Sequence, residues 1–287
     1  MKLDLLDYKQ LENFPSGSGI EYHDGRIFIV GDYATDIMVT NKRWKKQTEI
    51  KLANTRKKRT PNADLEAAAM LELEDGNCLM VMYSGTKEPE KKGVLVKVKD
   101  NELSEFDYSV FYERLRNSGV SNLNIEGAVQ SHDLLLFCNR VNESNTANQL
   151  IVTSPDFFRR QHDAPIELLD IDLSAYDGSI AVSGMTYSYE HDQLIFTTTT
   201  EATARKDGDK LITKSYLGII ENGYRKIWRH KIKINELIDL PGTYKEFKAH
   251  KVESVCIQSE GTRSIKMHMV ADNDANESFL FKVRLRF

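Results

Sequence analysis

A five-fold repeat constrains the folding of this chain more than any other feature of its sequence. Five segments align as a short strand that begins at a small or acidic residue, a polar turn, and a second, strongly apolar strand. They cover residues 18–33, 65–85, 125–140, 183–200 and 252–272. The turns contain residues that tolerate hairpin geometry, as in His23-Asp24-Gly25. Repeats of this length are typical of propellers and other arrays of similar units.

A third and a fourth apolar run complete each unit. Third runs occupy 36–41, 93–98, 148–154, 215–221 and 277–285, and fourth runs occupy 48–52, 102–108, 166–173 and 224–232. The fifth unit lacks a fourth run, whereas residues 1–11 precede the first unit and belong to none. We therefore predict an all-β, five-bladed β-propeller of four-stranded blades, forming a single domain over 1–287, in which the N-terminal strand closes the last blade. Six blades, or a β-sandwich with a second domain, are the alternatives.

Composition excludes several other classes of protein. With 40% hydrophobic residues, 16 Gly and 6 Pro in 287 residues, the chain is neither disordered nor collagen-like. It has no run of 18 apolar residues, and Asp4 and Asp7 interrupt what a secretory signal would need as an apolar core. Cys78, Cys138 and Cys256 lie in apolar runs without metal-ligand spacing, so we interpret them as reduced core residues. We expect a cytoplasmic protein.

The first strand of each propeller blade lines the central channel, so we expect the first residues of the five units to converge. These are Glu66, Glu126 and Glu253, with Ser18-Gly19 and Ser183-Gly184 at the same register. Two carboxylates about 7 Å apart repel by about 2 kcal/mol at an effective dielectric of about 20. A bound cation, protonation of one or two glutamates, or basic partners must offset that repulsion.

A hard cation such as Ca²⁺ takes six to eight oxygen ligands, which carboxylates and hydroxyls supply. The ring has no His or Cys, which argues against Zn²⁺. We therefore predict a calcium site whose ligands are Glu66, Glu126, Glu253, Ser183, Ser18 and Asp32. Alternatively, the glutamates are structural and bind backbone N–H groups of adjacent inner strands.

The loops that follow the second strands are expected to open on the same face as the ring, with polar residues that could bind a ligand. The net charge of −4 conceals a basic stretch between Asn41 and Thr60, which contains nine basic residues and one acid. Such a stretch attracts phosphate or another anion, although a solvated loop is the alternative. The predicted ligand-binding residues are Arg140, Asn139, Lys57, Lys58, Arg59 and Asp272.

The inner-strand sequences LEAAAML, IEGAVQ and VESVCIQ, with a terminal MVADND, carry a resemblance to known families. The chain resembles an uncharacterised family of bacterial β-propeller proteins and, more distantly, the esterase-like phytase and SdiA-regulated propellers. Its ring pattern of Ser, Glu, Glu, Ser, Glu is similar to that of calcium-dependent apyrases. That resemblance implies five blades and a calcium ion at the channel mouth, held through Glu66, Glu126, Ser183 and Glu253, with Ser18 and Asp32.

No familiar catalytic motif occurs in the chain: it has no GxSxG, HExxH, GxxxxGK[ST] or GxGxxG after a strand. We predict that the channel mouth binds a calcium-like cation and a small anionic ligand. If the protein is an enzyme, we expect a metal-dependent phosphoester or ester hydrolase with Glu126 or Glu66 as base and Arg140 stabilising negative charge. The alternative is a non-catalytic propeller that binds proteins or ligands. We expect a monomer with no membrane partner. We also expect no nucleic-acid partner, because Trp44 is the only aromatic residue interleaved with the basic stretch.

Overall fold

The computed structural model describes residues 1–52, 65–86, 92–120, 122–141, 147–176, 180–200, 214–229, 231–273 and 275–287. Within these ranges the strands form five separate sheets that are arranged as the blades of a propeller. The predicted five-bladed architecture is confirmed, with five blades rather than six. No helix among the described residues is long and apolar enough to cross a membrane.

The elements follow one another along the chain in the order of the repeat. The strands are β1 (Lys2–Leu11), β2 (Gly17–His23), β3 (Arg26–Gly31), β4 (Asp36–Asn41), β5 (Lys46–Lys51), β6 (Leu65–Leu73), β7 (Gly76–Tyr83), β8 (Lys92–Lys97), β9 (Leu103–Asp107), β10 (Ile125–Ser131), β11 (Leu134–Asn139), β12 (Gln149–Thr153), β13 (Glu167–Asp172), β14 (Ile180–Ser188), β15 (Gln193–Thr200), β16 (Ser215–Glu221), β17 (Lys231–Lys233), β18 (Glu236–Asp239), β19 (Lys251–Gly261), β20 (Ser264–Asp272) and β21 (Ser278–Arg286). The helices are α1 (Ser109–Asn117), α2 (Gly223–Ile227) and α3 (Leu240–Thr243), followed by a 3-10 turn at Lys245–Phe247.

Each blade is a meander whose first strand lies innermost. The sheet orders are β2-β3-β4-β5, β6-β7-β8-β9, β10-β11-β12-β13-β17, β14-β15-β16-β18 and β19-β20-β21-β1. The innermost strands β2, β6, β10, β14 and β19 contact one another in succession, and β19 returns to β2. The five inner strands therefore enclose a channel, and buried apolar clusters fill the spaces between neighbouring blades.

The N-terminal strand closes the ring, as predicted. Strand β1 pairs antiparallel with β21 and becomes the outermost strand of the last blade, with Leu3 opposite Leu285. Both leucines are buried, and Arg286 forms an ion pair with Asp4 at 2.6 Å. Because the two chain ends share one sheet, separating the last blade from the first would break a full strand pairing as well as apolar contacts.

A buried histidine strengthens the contact between the last and first blades. The indole Nε1 of Trp44 donates to Nδ1 of His268 at 3.1 Å, and Nε2 of His268 lies 3.0 Å from the Gln258 side-chain oxygen. Burial lowers the pKa of His268 to about 3, so the ring is neutral and both of its nitrogens have partners. Trp44, noted in the sequence within a basic stretch, is thus a core residue, 4% exposed.

The predicted fourth strand of the fourth blade, at 224–232, is wrong. Residues Gly223–Ile227 form α2, whose preceding residue Asn222 adopts a left-handed φ of 53° and whose Ile227 is buried. The next segment, β17, pairs in parallel with β13 and so joins the third blade as a fifth strand. The fourth strand of the fourth blade is β18, which pairs with β16. The apolar residues of 224–232 are divided between a helix and a neighbouring blade.

Small residues let the inner strands approach one another closely. A Cβ added to Gly184 would lie 2.6 Å from the carbonyl oxygen of Glu253 and 2.7 Å from Cα of Ser254, in the next blade. A Cβ on Gly127 would lie 2.9 Å from Cα of Gly184. The backbones of three successive inner strands therefore meet at these positions, where a side chain would force them apart.

We expect Gly184→Ala to lower the free energy of unfolding by about 1 to 3 kcal/mol, because the new methyl group meets backbone that cannot rotate away. Urea unfolding monitored by circular dichroism would measure the change. Gly261→Ala is the matched control, since its Cβ would have no neighbour nearer than 4.0 Å. Equal stability of the two variants would contradict the close-packing explanation.

Candidate functional site

A β-bulge occurs near the start of the innermost strand in every blade. The register shifts by one residue between Gly17 and Gly19 and at the equivalent place in the other four inner strands. The residues omitted from the ladder are Ser18, Glu66, Glu126, Ser183 and Glu253. A bulge leaves one residue unpaired and re-aims its side chain. The ring predicted from the repeat thus corresponds to five equivalent bulges at one end of the channel.

Four of the bulge residues line a cavity of about 150 Å³ at this end, which we call the first mouth. Its lining residues are Ser16, Gly17, Ser18, Asp32, Glu66, Glu126, Arg140, Lys251, Glu253 and Asp272. Five carboxyl groups face two basic side chains here, so the first mouth is acidic. The three ring glutamates do come together, as the sequence predicts.

Arg140 compensates one of the ring carboxylates directly. Its guanidinium lies 3.3 Å from a Glu126 oxygen, and the Asn124 amide donates to the other oxygen of Glu126 at 2.7 Å. Glu126 is 7% exposed; burial raises its pKa, whereas the charge of Arg140 and the hydrogen bonds from Arg140 and Asn124 oppose that rise. Arg140 also approaches the hydroxyl of Thr199 at 3.4 Å. The pair is therefore held between two blades.

The surroundings of Glu66 raise its pKa. Burial is the main cause that raises its pKa well above 4.5, and the negative charges of Glu126, Asp32 and Glu253 add to it. A hydrogen bond between Glu66 and Asp32 acts in the same direction. The surroundings of Glu66 therefore favour its protonated form much more than water would.

Glu253 also has a raised pKa, and two basic side chains oppose the rise. Burial raises its pKa to about 7, although Arg140 and Lys251 partly offset the effect of burial and of Glu126. A carboxyl group with such a pKa exchanges its proton near neutral pH, which is the property that a general acid or base requires.

The two bulge serines connect neighbouring blades. The Ser18 hydroxyl donates to the carbonyl of Leu65, and the Ser183 hydroxyl donates to the carbonyl of Val252 at 2.8 Å. In each case the acceptor directly precedes the bulge residue of the next inner strand. Ser18 lines the first mouth, whereas Ser183 is 1% exposed and contacts Thr197 at 3.0 Å. The structure explains both serines as inter-blade contacts.

Of the remaining predicted residues, some line the cavity and others do not. Asp32 and Asp272 line it, as expected. Asn139 is fully buried and does not line the cavity. Its side-chain oxygen accepts the backbone N–H of Asn124 at 2.7 Å, and this bond positions Asn124, whose amide binds Glu126. The predicted anion-binding residues Lys57, Lys58 and Arg59 lie outside the described residues.

Sequence reasoning missed two contributors, Lys251 and Asn124. Each lies two residues before a bulge glutamate, and Ser16 precedes the bulge residue Ser18 by the same distance. A polar residue two positions ahead of the ring residue, which the sequence has in four of the five blades, was the available signal. Within the described residues, no three His, Cys, Asp or Glu side chains form a group that could hold a metal ion.

The fold and this site define a five-bladed β-propeller with a ring of partly buried carboxyl groups at one end of its channel. Residues 13–285 match the model of a family of unknown function, DUF6929, and the chain belongs to that family. No curated protein matches the sequence.

Solved structures share the fold at low sequence identity. Glutaminyl cyclase from Myxococcus xanthus is 10% identical with a TM-score of 0.58, and the match covers 98% of this chain and 96% of that one. The tail fiber of Staphylococcus aureus phage P68 is 11% identical with a TM-score of 0.57, over 100% of this chain and 53% of the fiber. A GH43 β-1,3-galactosidase is 8% identical with a TM-score of 0.52, over 94% and 90%. These likenesses show the fold alone.

We expect the substitution Glu253→Gln to stabilise the protein increasingly between pH 5 and pH 8. The pKa of Glu253 is about 7 in the folded protein against an ordinary value of 4.5, so below pH 4.5 the carboxyl is neutral in both states. As the pH rises toward 7, the unfolded chain loses this proton first, which lowers the free energy of unfolding by on the order of 3 kcal/mol. Glutamine has no proton to lose.

Urea unfolding at a series of pH values would measure this difference. Glu105→Gln, at an exposed position on the outer strand β9, is the matched control and should differ from the wild type by a constant amount. A difference between Glu253→Gln and the wild type that does not vary with pH would contradict the raised pKa.

Proposed function

We propose that the first mouth is an acid–base site that hydrolyses a small polar substrate. One observation carries the proposal: bulges bring buried carboxyl groups to one cavity, where burial and neighbouring charges give them different proton affinities. Pairs of titratable groups whose pKa values are driven apart are the usual arrangement for an acid and a base in one site. The fold alone supports both enzymes and binding proteins.

The roles follow from the protonation states. Hydrolysis requires one group that gives a proton to the leaving atom and another that takes a proton from water. Glu66, whose pKa is raised well above its usual value by burial and by neighbouring carboxylates, serves as the acid. Glu253, with a pKa of about 7, serves as the base. Glu126 keeps Arg140 in place, and Arg140 is positioned to stabilise negative charge as it develops.

The charge balance favours an uncharged substrate. Five carboxyl groups line the first mouth, and its arginine is already paired with Glu126. Carboxyl groups hydrogen-bond readily to hydroxyl and amide groups. A neutral glycoside, ester or amide suits such a cavity better than the phosphorylated substrate that the basic stretch suggests. Binding of a small anionic ligand through Lys57, Lys58 and Arg59 stays a prediction.

A screen of neutral chromogenic glycosides, esters and amides tests this proposal. We expect Glu66→Gln and Glu253→Gln each to lower kcat/KM by at least about 100-fold, because each removes one proton-transfer group. Glu253→Gln should also abolish the acidic limb of the pH profile near pH 7. Glu105→Gln is the control that keeps its activity. Full activity in both ring variants would remove the acid–base role, and absence of turnover with bound ligand would favour the non-catalytic alternative.

A calcium ion at the same mouth is the second candidate: five carboxyl groups line the cavity, although in this arrangement no three of the described acidic side chains form a group that could hold a metal ion. The similarity of the ring pattern to calcium-dependent apyrases points the same way. A cation would bind the ionised ring, so it would compete with the protons on Glu66 and Glu253. Calcium binding therefore requires the ring to release protons, and it should strengthen as the pH rises above 7.

We expect 5 mM Ca²⁺ to raise the melting temperature at pH 8 and to have a smaller effect at pH 6, with chelator reversing the shift. Glu126→Gln should lose the response, and Glu105→Gln should retain it. An unchanged melting temperature at pH 8, together with no calcium retained after dialysis, would exclude the calcium proposal and leave the metal-free acid–base site.

A further inference from the structure

A second cavity of about 230 Å³ lies at the other end of the inner strands, and we call it the second mouth. Every innermost strand contributes to it, through residues well beyond the bulges, such as Met70 on β6 and Ile257 on β19. The bulges of the first mouth lie near the starts of the inner strands, whereas the residues of the second mouth lie toward their ends. The two mouths are therefore at opposite ends of the channel. None of the residues assigned to the proposed hydrolysis lines the second mouth.

The second mouth is lined by acidic residues and contains no basic ones. Glu21, Glu72 and Glu260 line it, and no Lys, Arg or His is present among its described lining residues. Glu21 is 7% exposed, and no side-chain cation pairs with it among the described residues. Oε2 of Glu260 accepts the backbone N–H of Glu190 at 3.1 Å, whereas its Oε1 is buried and accepts no hydrogen bond in the described part of the chain.

Tyrosines form another part of the lining and are held in place by their hydroxyl groups. The Tyr189 hydroxyl donates to the carbonyl of Gln130 at 3.0 Å, and the Tyr187 hydroxyl donates to Asp192 at 2.5 Å. The two rings pack edge to face with centroids 5.0 Å apart. Although Tyr189 is 53% exposed, its ring is thus fixed at the rim of the cavity.

The two mouths compensate their carboxyl groups differently. At the first mouth Arg140 and Lys251 supply positive charge from within the protein. At the second mouth, burial raises the pKa of Glu21 to about 8, and among the described residues its hydrogen bonds come from the backbone of Tyr22 and Met70. A buried carboxyl group without a cation nearby is costly to ionise. A bound cation would remove that cost.

We propose that the second mouth binds a small organic ammonium ion, with carboxylates neutralising its charge and tyrosine rings packing against its carbon atoms. Aromatic faces attract such cations, and the effect is strongest where water is excluded. The apolar side chains of Met70, Val129 and Ile257 suit methyl or methylene groups, and they cannot replace the water ligands of a metal ion. The lining therefore selects an organic cation over a hydrated one.

Choline and its uncharged analogue 3,3-dimethylbutan-1-ol, which have nearly the same shape, are the probes. Isothermal titration with the full chain should show choline binding at least tenfold tighter than the alcohol. Affinity should rise between pH 6.5 and pH 9 as Glu21 loses its proton. The other titratable groups around Glu21 are the acids Glu72 and Glu260, the thiol of Cys256 and the phenols of Tyr22, Tyr187 and Tyr189, none of which becomes positively charged.

Substitutions test the carboxylate charge of Glu21 and the aromatic ring of Tyr189 separately. Glu21→Gln and Tyr189→Leu should each weaken choline binding at least tenfold, whereas Tyr189→Phe, which keeps the ring, should retain most of the affinity. Tyr33→Leu changes a tyrosine of similar exposure that does not line the second mouth, so it is the control. Circular dichroism would show that each variant is folded.

Each outcome supports or overturns the proposal. Equal binding of choline and the alcohol would show an apolar cavity without cation selectivity. Choline binding that neither Glu21→Gln nor Tyr189→Leu weakens would show that these residues do not form the cation site. No heat and no chemical-shift change at 20 mM choline would exclude the site. Glu253→Gln should bind choline as the wild type does, so failure at this mouth and failure of the proposed hydrolysis are distinguishable.

Discussion

The close approach of five inner strands around one axis is the constraint on which the rest of the structure depends. At the bulge of each inner strand one residue leaves the ladder, and the residue that follows it is small: Gly19, Ala67, Gly127, Gly184 and Ser254. The small residue permits backbone contact with the next blade, while the bulge residue is turned toward the channel or the adjoining strand. Packing and site geometry therefore arise from one local motif.

That motif creates an electrostatic problem, which the protein solves in more than one way. Arg140 neutralises Glu126, Glu66 is hydrogen-bonded to Asp32 and has a strongly raised pKa, and Glu253 is left with a pKa of about 7. Had every carboxyl carried its own arginine, all would be ionised and none could donate a proton at neutral pH. Incomplete compensation is what gives the first mouth its capacity for acid–base chemistry.

The sequence predicted the blades, the closure by β1 and the three ring glutamates because all of these recur with the repeat. It did not predict the outer part of the fourth blade, since its outer strand is short and only partly buried and the apolar residues of 224–232 fit a strand or a helix equally well. The partners of the ring were found only in part: Arg140 was expected at the mouth, but Lys251 and Asn124 have no equivalent in every blade. The second mouth was missed because its residues differ from blade to blade.

Several residues of each inner strand separate the first mouth from the second. Along β6, Glu66 and Met70 are four residues apart, a separation of about 13 Å in an extended strand, and the intervening residues Ala67, Ala68 and Ala69 are small and uncharged. The causes that shift the pKa of Glu21 are burial and hydrogen bonds from the backbone of Tyr22 and Met70, and neither Arg140 nor Lys251 is among them. The basic side chains of the first mouth therefore do not compensate Glu21, whose carboxyl group is neutral when protonated and which, in our proposal, is compensated by a bound organic cation when ionised.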